Sequence, residues 1–463
     1  MRIALIKPYN RLTYSFMPPL GLGYISSMLK SKRQHEVYLY EANRDRLNNI
    51  RTLRNFLKLN KPDLVGIQVL TSDLGIVREY LRCIKGVDKN IVIVAGGPHP
   101  SALPKETMDY FGRDLDFAVV GEGERSFTNL VGYLEGSKSD ISSIKGLMWR
   151  NEDKQVIQNE VELLEYLDEL PWPDWELLNP IAYPHAPHGA VSRYYPFVPI
   201  LLSRGCLMGC NFCSASTIFG KKIRHRNIDD VISEIKFLIN RFNIREILIQ
   251  DDNFAFNKKR VLNFCDKIGK LNISWTLPNG ICLNSLDEEL VRSMKYAGCY
   301  AVSVGIESGS QRILNDMNKG LRLETVREKI AILKKYKIIV TAQVIIGYPT
   351  ETGEDVLKTI SFVKGLPVEH AAFSNFIPLP GSELYYRMKE EKRLDGISIE
   401  DLSYYRVTES FSPHITKNVL AALLKKAMRS FYLRPSVLIK NIINVGSFAN
   451  LWYLIKRFFN NYL

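Results

Sequence analysis

Cys206, Cys210 and Cys213 lie in the stretch Leu201-Leu-Ser-Arg-Gly-Cys-Leu-Met-Gly-Cys-Asn-Phe-Cys-Ser214 and are spaced C-x3-C-x2-C. Three thiolates supplied so closely by one loop can hold three irons of a cubane cluster. With no fourth cysteine in the loop, the fourth iron is left open to something other than protein. Two other readings of the same residues are a zinc knuckle and three buried thiols that happen to lie together. Zinc sites usually complete a tetrahedron with a nearby second pair of Cys or His, and His225 is the only close candidate. The remaining Cys83, Cys265, Cys282 and Cys299 stand in apolar settings and are expected to serve core packing.

Other polar side chains gather where apolar runs end. Asp251-Asp252-Asn253-Phe254 follows Ile244–Gln250, Ile306-Glu307-Ser308-Gly309 follows Tyr300–Gly305, and Gly347-Tyr348-Pro349-Thr350-Glu351 follows Ile339–Ile346. Earlier in the chain, three more strand ends read Leu70-Thr71-Ser72-Asp73, Ala95-Gly96-Gly97-Pro98-His99-Pro100 and Val119-Val120-Gly121-Glu122-Gly123-Glu124. Paired glycines at a strand end let the backbone approach a bulky ligand with no Cβ in the way. Each acidic residue also has an ordinary reading as a helix cap or a solvated turn.

The elements that must position these residues form two series. In residues 1–140, Ile3–Ile6, Glu36–Tyr40, Leu64–Leu70, Ile91–Ala95 and Phe117–Val119 read as strands separated by helical patterns. Such alternation predicts a doubly wound, Rossmann-like parallel sheet with its ligand crevice at the carboxyl ends of the strands. Residues 141–195 carry a strand pattern at 146–150, an acidic run and repeated prolines, and read as a connector whose Trp172, Trp175 and Leu177 dock the two halves. Residues 196–380 resume the alternation with about six strand–helix units, from Phe197–Leu202 to Phe373–Pro378, which predicts a partial (β/α)6 barrel of the TIM type. Residues 381–463 form a helical, basic C-terminal region.

The cysteine loop, with Gly205, Gly209 and Phe212 around it, resembles the cluster loop of the radical S-adenosylmethionine (radical SAM) enzymes. The glycine turns ahead of it resemble the cobalamin-binding domain that some of those enzymes carry. What the resemblance implies is a 4Fe-4S cluster on Cys206, Cys210 and Cys213 that reductively cleaves S-adenosylmethionine to a 5′-deoxyadenosyl radical. It further implies methyl transfer from cobalamin to an unactivated carbon. Carried onto this chain, the S-adenosylmethionine ammonium falls to Asp251, Asp252 and Asn253, with Asp252 first. The ribose falls to Glu307 and Ser308, the carboxylate to Arg224 or Arg226, and adenine to Phe212 and the Val344–Gly347 strand. The cobalamin groove falls to Thr71, Ser72, Gly96 and Gly97, with Pro98, His99, Glu122 and Gly123 beside them. Many such domains carry Asp-x-His-x-x-Gly after the second strand. The matching stretch begins Glu41-Ala-Asn43, so the corrinoid is expected without a histidine lower ligand. An electron donor such as flavodoxin or ferredoxin is implied as well. Radical rearrangement, cyclisation or oxidation without methyl transfer is the alternative within enzymes. Methylthio transfer is disfavoured because it calls for three further N-terminal cysteines, and only Cys83 is present.

Hydrophobic residues at 46% and charged residues at 24% exclude a disordered chain. Cysteine usage fits a reducing cytoplasm rather than a disulfide framework, and no apolar run is long enough to span a bilayer. Of the net charge of +13, eight basic residues and no acid lie between Ile415 and Leu463. The pattern over Val419–Tyr432 is that of an amphipathic helix, and Val437–Val445 and Phe448–Phe459 repeat it. These helices are expected to close the barrel mouth or to make peripheral contact with the inner face of a membrane beside a small-molecule or lipid-like substrate. Nucleic acid is not the expected partner. A basic binding protein with a merely structural cluster is the reading from outside enzymes.

Overall fold

The computed structural model describes residues 1–9, 17–32, 35–45, 47, 49–137, 140–183, 192–404, 406–435 and 437. The first half is built on strands β1 (Arg2–Lys7), β2 (Glu36–Glu41), β3 (Leu64–Gln68), β4 (Val92–Gly96) and β5 (Phe117–Val119). They alternate with helices α1 (Leu20–Lys32), α2 (Ile50–Asn60), α3 (Leu74–Val87), α4 (Pro98–Ala102), α5 (Pro104–Phe111) and α6 (Gly123–Leu134). The strands are parallel and ordered β2-β1-β3-β4-β5. Ile3 to Ile6 are fully buried, the continuous apolar run expected of a strand covered by helices on both faces. Strand order reverses between β1 and β3, which places the crevice at their carboxyl ends. Two antiparallel strands, β6 (Leu147–Arg150) and β7 (Val156–Gln158), complete this sheet, so it runs past residue 140 into the expected connector. Helices α4 and α5 were not anticipated. Both are short and begin on a proline, a residue suited to a first helical position because it has no N–H to leave unpaired.

The second half contains β8 (Phe197–Ile200), the two-residue pair β9 (Ser203–Arg204) and β10 (Arg224–His225), then β11 (Glu246–Ile249), β12 (Ser274–Ile281), β13 (Cys299–Glu307), β14 (Ile339–Ile346) and β15 (His370–Asn375). Apart from β9 and β10, these strands form one six-stranded parallel sheet in chain order, the partial barrel expected from the alternation. The antiparallel β9–β10 pair closes the loop that carries the three cysteines. Helix α7 (Trp175–Leu178) belongs to the connector, and α8 (Ser216–Phe219) follows the cysteines. The barrel is then wrapped by α9 (Ile228–Phe242), α10 (Lys258–Gly269), α11 (Glu288–Tyr296), α12 (Gln311–Asp316), α13 (Leu323–Lys335) and α14 (Gly353–Gly365). The unanticipated α14 starts on a capping box in which Thr352 and Asp355 satisfy each other's backbone N–H.

Two of the three residues expected to dock the connector meet the barrel. Trp172 and Trp175 donate their indole N–H groups to Asp230 and Glu234 of α9, each at 2.8 Å. The fully buried leucine is Leu178, whereas Leu177 is only half-buried. After β15, α15 (Glu383–Glu390) reaches back to the first domain, where Tyr386 donates to the Ala102 carbonyl at 2.8 Å. Helix α16 (Lys417–Tyr432) buries Leu420, Leu424, Ala427, Met428 and Phe431 against α14 and β15. The Tyr432 hydroxyl exchanges hydrogen bonds with the backbone of Ala371 on the edge strand, covering an edge that would otherwise be open to pairing. The apolar face of α16, expected to close the barrel mouth or to meet a membrane, is packed instead on the flank of the barrel. The repeats at Val437–Val445 and Phe448–Phe459 lie outside the described residues apart from Val437. No helix among the described residues is long and apolar enough to cross a membrane.

Candidate active site

Cys206, Cys210, Cys213 and Phe212 line a cavity of 930 Å3 at the carboxyl ends of the barrel strands, the face on which such barrels carry chemistry. The loop is held from several directions. Gly205 has φ +96, and a Cβ there would stand 2.3 Å from the Lys222 carbonyl oxygen, so only glycine lets β9 and β10 close behind the cysteines. Asn211 donates to the Asp316 carbonyl at 2.6 Å and accepts from the Tyr348 hydroxyl at 3.0 Å. Asn318 donates to the Gly209 carbonyl at 2.7 Å. Burial pushes the Cys210 thiol up to about 11, and the Lys319 ammonium opposes that shift. Cys213 sulfur accepts from the Ala215 N–H at 3.4 Å, a bond suited to a cluster thiolate. Among the described residues no three His, Cys, Asp or Glu side chains gather closely enough to share one metal ion, and His225 lies on β10 outside the cavity lining. A cubane instead offers each thiolate its own iron, and the three thiols fit it.

Asp252 and Asn253 face the same cavity from the end of β11. Burial raises the Asp252 carboxyl to about 6, and the Oδ1 of Asn253 is buried with no hydrogen-bond partner. Asp252 already accepts from the Gly205 N–H, whereas Asn253 Oδ1 is an acceptor with no donor, and two acceptors side by side fit an ammonium. Glu307 ends β13 with φ +64 at a register shift against β14. That bulge and left-handed backbone aim its carboxylate inward. There Glu307 accepts from the partly buried Lys319 ammonium at 2.7 Å. Gly305 makes room for the pair, because a Cβ on it would lie 2.4 Å from Glu307 Oε1 and 2.8 Å from Lys319 Nζ. The Lys319 ammonium also stands 6.0 Å from the centre of the Phe212 ring.

Several expected residues lie elsewhere. Asp251 is buried behind the cavity, where its oxygens accept from the Leu202 N–H at 2.7 Å and the Ser203 hydroxyl at 2.6 Å, fixing the approach to the cysteine loop. Ser308 is buried against Thr359 at 3.1 Å and organises the turn after β13. Arg224 donates to Glu122 at 2.6 Å and Arg226 pairs with Glu234 at 2.7 Å, so neither guanidinium lines the cavity. Arg204, two residues before Cys206, donates to Glu122 at 2.8 Å and Glu124 at 2.7 Å. Glu122 thus belongs to a buried ion network between the domains, and Gly123 begins α6 against Ile25. Sequence reasoning missed Lys319 and assigned Cys282 to the core, whereas both line the cavity. The spacing of twelve residues between Glu307 and Lys319 carries no local signature, since helix α12 lies between them.

At the crevice of the first domain, Thr71 and His99 meet at 3.1 Å between Oγ1 and Nδ1. Burial lowers the His99 imidazole to about 4, which keeps it neutral at pH 7. Ser72 and Pro98 are exposed beside them. Gly96 opens onto empty space and Gly97 has φ +106, while Oε1 of Gln68 at the end of β3 is buried without a hydrogen-bond partner. An open glycine shelf with an orphaned acceptor beneath it fits the tail of a large cofactor. Helix α4, which follows the two glycines, packs on α8, which follows Cys213. A Cβ on Gly381 would meet both Thr217 of α8 and Ala102 of α4.

Residues 200–363 match the radical SAM superfamily and residues 6–131 match the B12 binding domain. The chain is 33% identical to an uncharacterized methyltransferase of Pyrococcus horikoshii, over 99% of this chain and 97% of that protein. It is 28% identical to cytidylyl-2-hydroxyethylphosphonate methyltransferase of Streptomyces wedmorensis, over 88% of this chain and 84% of that protein. Its fold is shared with the radical S-adenosylmethionine methyltransferase TsrM of Kitasatospora setae, solved with cobalamin and a 4Fe-4S cluster bound. The TM-score is 0.72 at 18% identity, over 92% of this chain and 91% of that one.

Proposed function

Since the chain belongs to the radical S-adenosylmethionine enzymes that carry a B12-binding domain, we propose that it methylates a carbon of a small-molecule substrate. The observation that carries this reading is the seating of α4 on α8, which joins the glycine shelf of the first domain to the cysteine end of the barrel cavity. When bound, the cluster supplies the electron that cleaves S-adenosylmethionine and cobalamin supplies a transferable methyl group.

The residues of the chain position and shield these groups. Cys206, Cys210 and Cys213 hold three irons. Asp252 and Asn253 accept from the ammonium of S-adenosylmethionine. Lys319 takes the part expected of Arg224 or Arg226 and donates to its carboxylate, because it is a partly buried cation that lines the cavity beside Cys210 and Glu307. Glu307 holds Lys319 in place and accepts from the ribose hydroxyls. Thr71, Gly96 and Gly97 line the cobalamin tail groove, and Asn43, buried just after β2, offers cobalt no imidazole. The network of Arg204, Arg224, Glu122 and Glu124 keeps water from the seam between the two sites. A low-potential carrier such as flavodoxin or ferredoxin is the electron source.

Protein prepared without oxygen and reconstituted with iron, sulfide and hydroxocobalamin is expected to hold about four irons and one corrinoid per chain. Given a low-potential reductant and substrate, it is expected to release both 5′-deoxyadenosine and S-adenosylhomocysteine. Deoxyadenosine with no S-adenosylhomocysteine would replace methyl transfer by rearrangement or oxidation, and iron without corrinoid would remove cobalamin from the reaction.

A further inference from the structure

Asn375 closes β15 and lines the cavity at 2% exposure, yet neither Oδ1 nor Nδ2 of its side chain has a hydrogen-bond partner. Its backbone N–H donates to the Tyr404 carbonyl at 2.7 Å, which fixes where the side chain is presented. A buried amide with both atoms unpaired is costly to fold, so the group calls for a ligand that supplies one donor and one acceptor side by side. The cavity is lined beyond it by Phe376, Ile377, Leu379 and Tyr404, with the neutral polar Ser374 and Gln343 on the neighbouring strand positions. Charge is scarce on this side. Lys319 and Glu307 neutralise each other, and Lys221 and Glu383 are exposed residues of opposite sign.

Resting on the reading that this cavity holds the methyl acceptor, we infer that Asn375 is its recognition point. The acceptor is then a neutral, largely apolar or aromatic molecule that presents an amide edge, such as a carboxamide or a lactam. A polyanion such as a phosphonate or a nucleotide finds no surplus cation here.

The test measures binding of naphthamide and naphthoate, equal in shape and different in charge, to protein loaded with cluster, S-adenosylmethionine and cobalamin. Naphthamide is expected to bind at least about tenfold more tightly than naphthoate. Asn375→Leu is expected to weaken naphthamide about tenfold while leaving the affinities for naphthoate and S-adenosylmethionine as they were. Asn375→Asp, which keeps the shape, is expected to prefer naphthamidine to naphthamide through a bidentate ion pair. Equal affinities of the two first probes, or binding of neither, would overturn the inference. So would an Asn375→Leu protein that loses S-adenosylmethionine instead, since the amide would then read the adenine. Failure of the methyl-transfer reading shows separately, as absent S-adenosylhomocysteine with the amide preference intact.

Discussion

Lys319 and Glu307 come together in the cavity because Gly305, between them and the sheet, has no side chain to displace them. Gly305→Ala is therefore expected to leave the iron content unchanged, because the cysteine loop is untouched, and to weaken S-adenosylmethionine binding at least about tenfold. Titration of cluster-loaded protein with S-adenosylmethionine checks both halves, and unchanged affinity would place the pair outside the binding site. Lys319→Met removes charge-assisted hydrogen bonds and leaves Glu307 unpaired, for an expected loss of about ten- to a hundredfold in the same titration. Lys319→Arg should retain most of the affinity. Equal losses in both variants would mean that the ammonium acts through packing rather than charge.

The turn from β14 into α14 carries a titration of its own. Burial raises the Glu351 carboxyl to about 8, although the N–H groups of Gly347, at 2.6 Å, and Tyr348, at 3.3 Å, pull it back. In the unfolded chain the same group ionises near its ordinary 4.5. Between these values the folded chain binds more protons than the unfolded one, so stability falls as pH rises through the window and levels off above it. Denaturation midpoints taken from about pH 5 to about pH 8 should drop in the wild type relative to Glu351→Gln, by on the order of a few kcal/mol at the upper end. Parallel curves for the two proteins would show that the folded carboxyl ionises normally. Helix α16 makes its contribution to the same part of the fold by packing Leu420 on Gly347, where a Cβ would stand 2.8 Å from the leucine.

Across the whole molecule, the two domains meet through charges that lie far apart in sequence. Arg204 and Arg224 of the barrel pair with Glu122 and Glu124 of the first domain, with every side chain at most 5% exposed. Removing one partner of a buried network leaves an uncompensated charge. Arg204→Met should therefore destabilise the chain by about 3–5 kcal/mol and split thermal unfolding into two transitions, one for each domain. A single transition of unchanged midpoint would show that the seam holds by apolar contact alone. The same contacts tie the start of the cysteine loop to the wall of the first domain, so loss of Arg204 is also expected to lower iron retention.

What the sequence determined by itself was local. The three cysteines sit within eight residues of one another, so the expectation that they share one cluster needs no knowledge of the fold. The apolar runs ending in Asp252, Glu307 and Gly96-Gly97 follow from strand periodicity, and the carboxyl-end rule for parallel sheets then gathers those ends at two crevices. Only the tertiary structure decided which polar residues face those crevices. Asp251 and Asp252 are adjacent in the turn after β11 and do different work, the first holding the backbone of Leu202 and the second facing the cavity. The carboxylate that Arg224 binds is that of Glu122, a hundred and two residues away. Lys319 and Asn375 gave no signal because their meaning is set by distant contacts: a partner carboxylate across helix α12 for one, and the lack of any partner for the other. Periodicity reports which face of an element is buried, whereas the pairing of charges and amides across elements depends on how those elements pack.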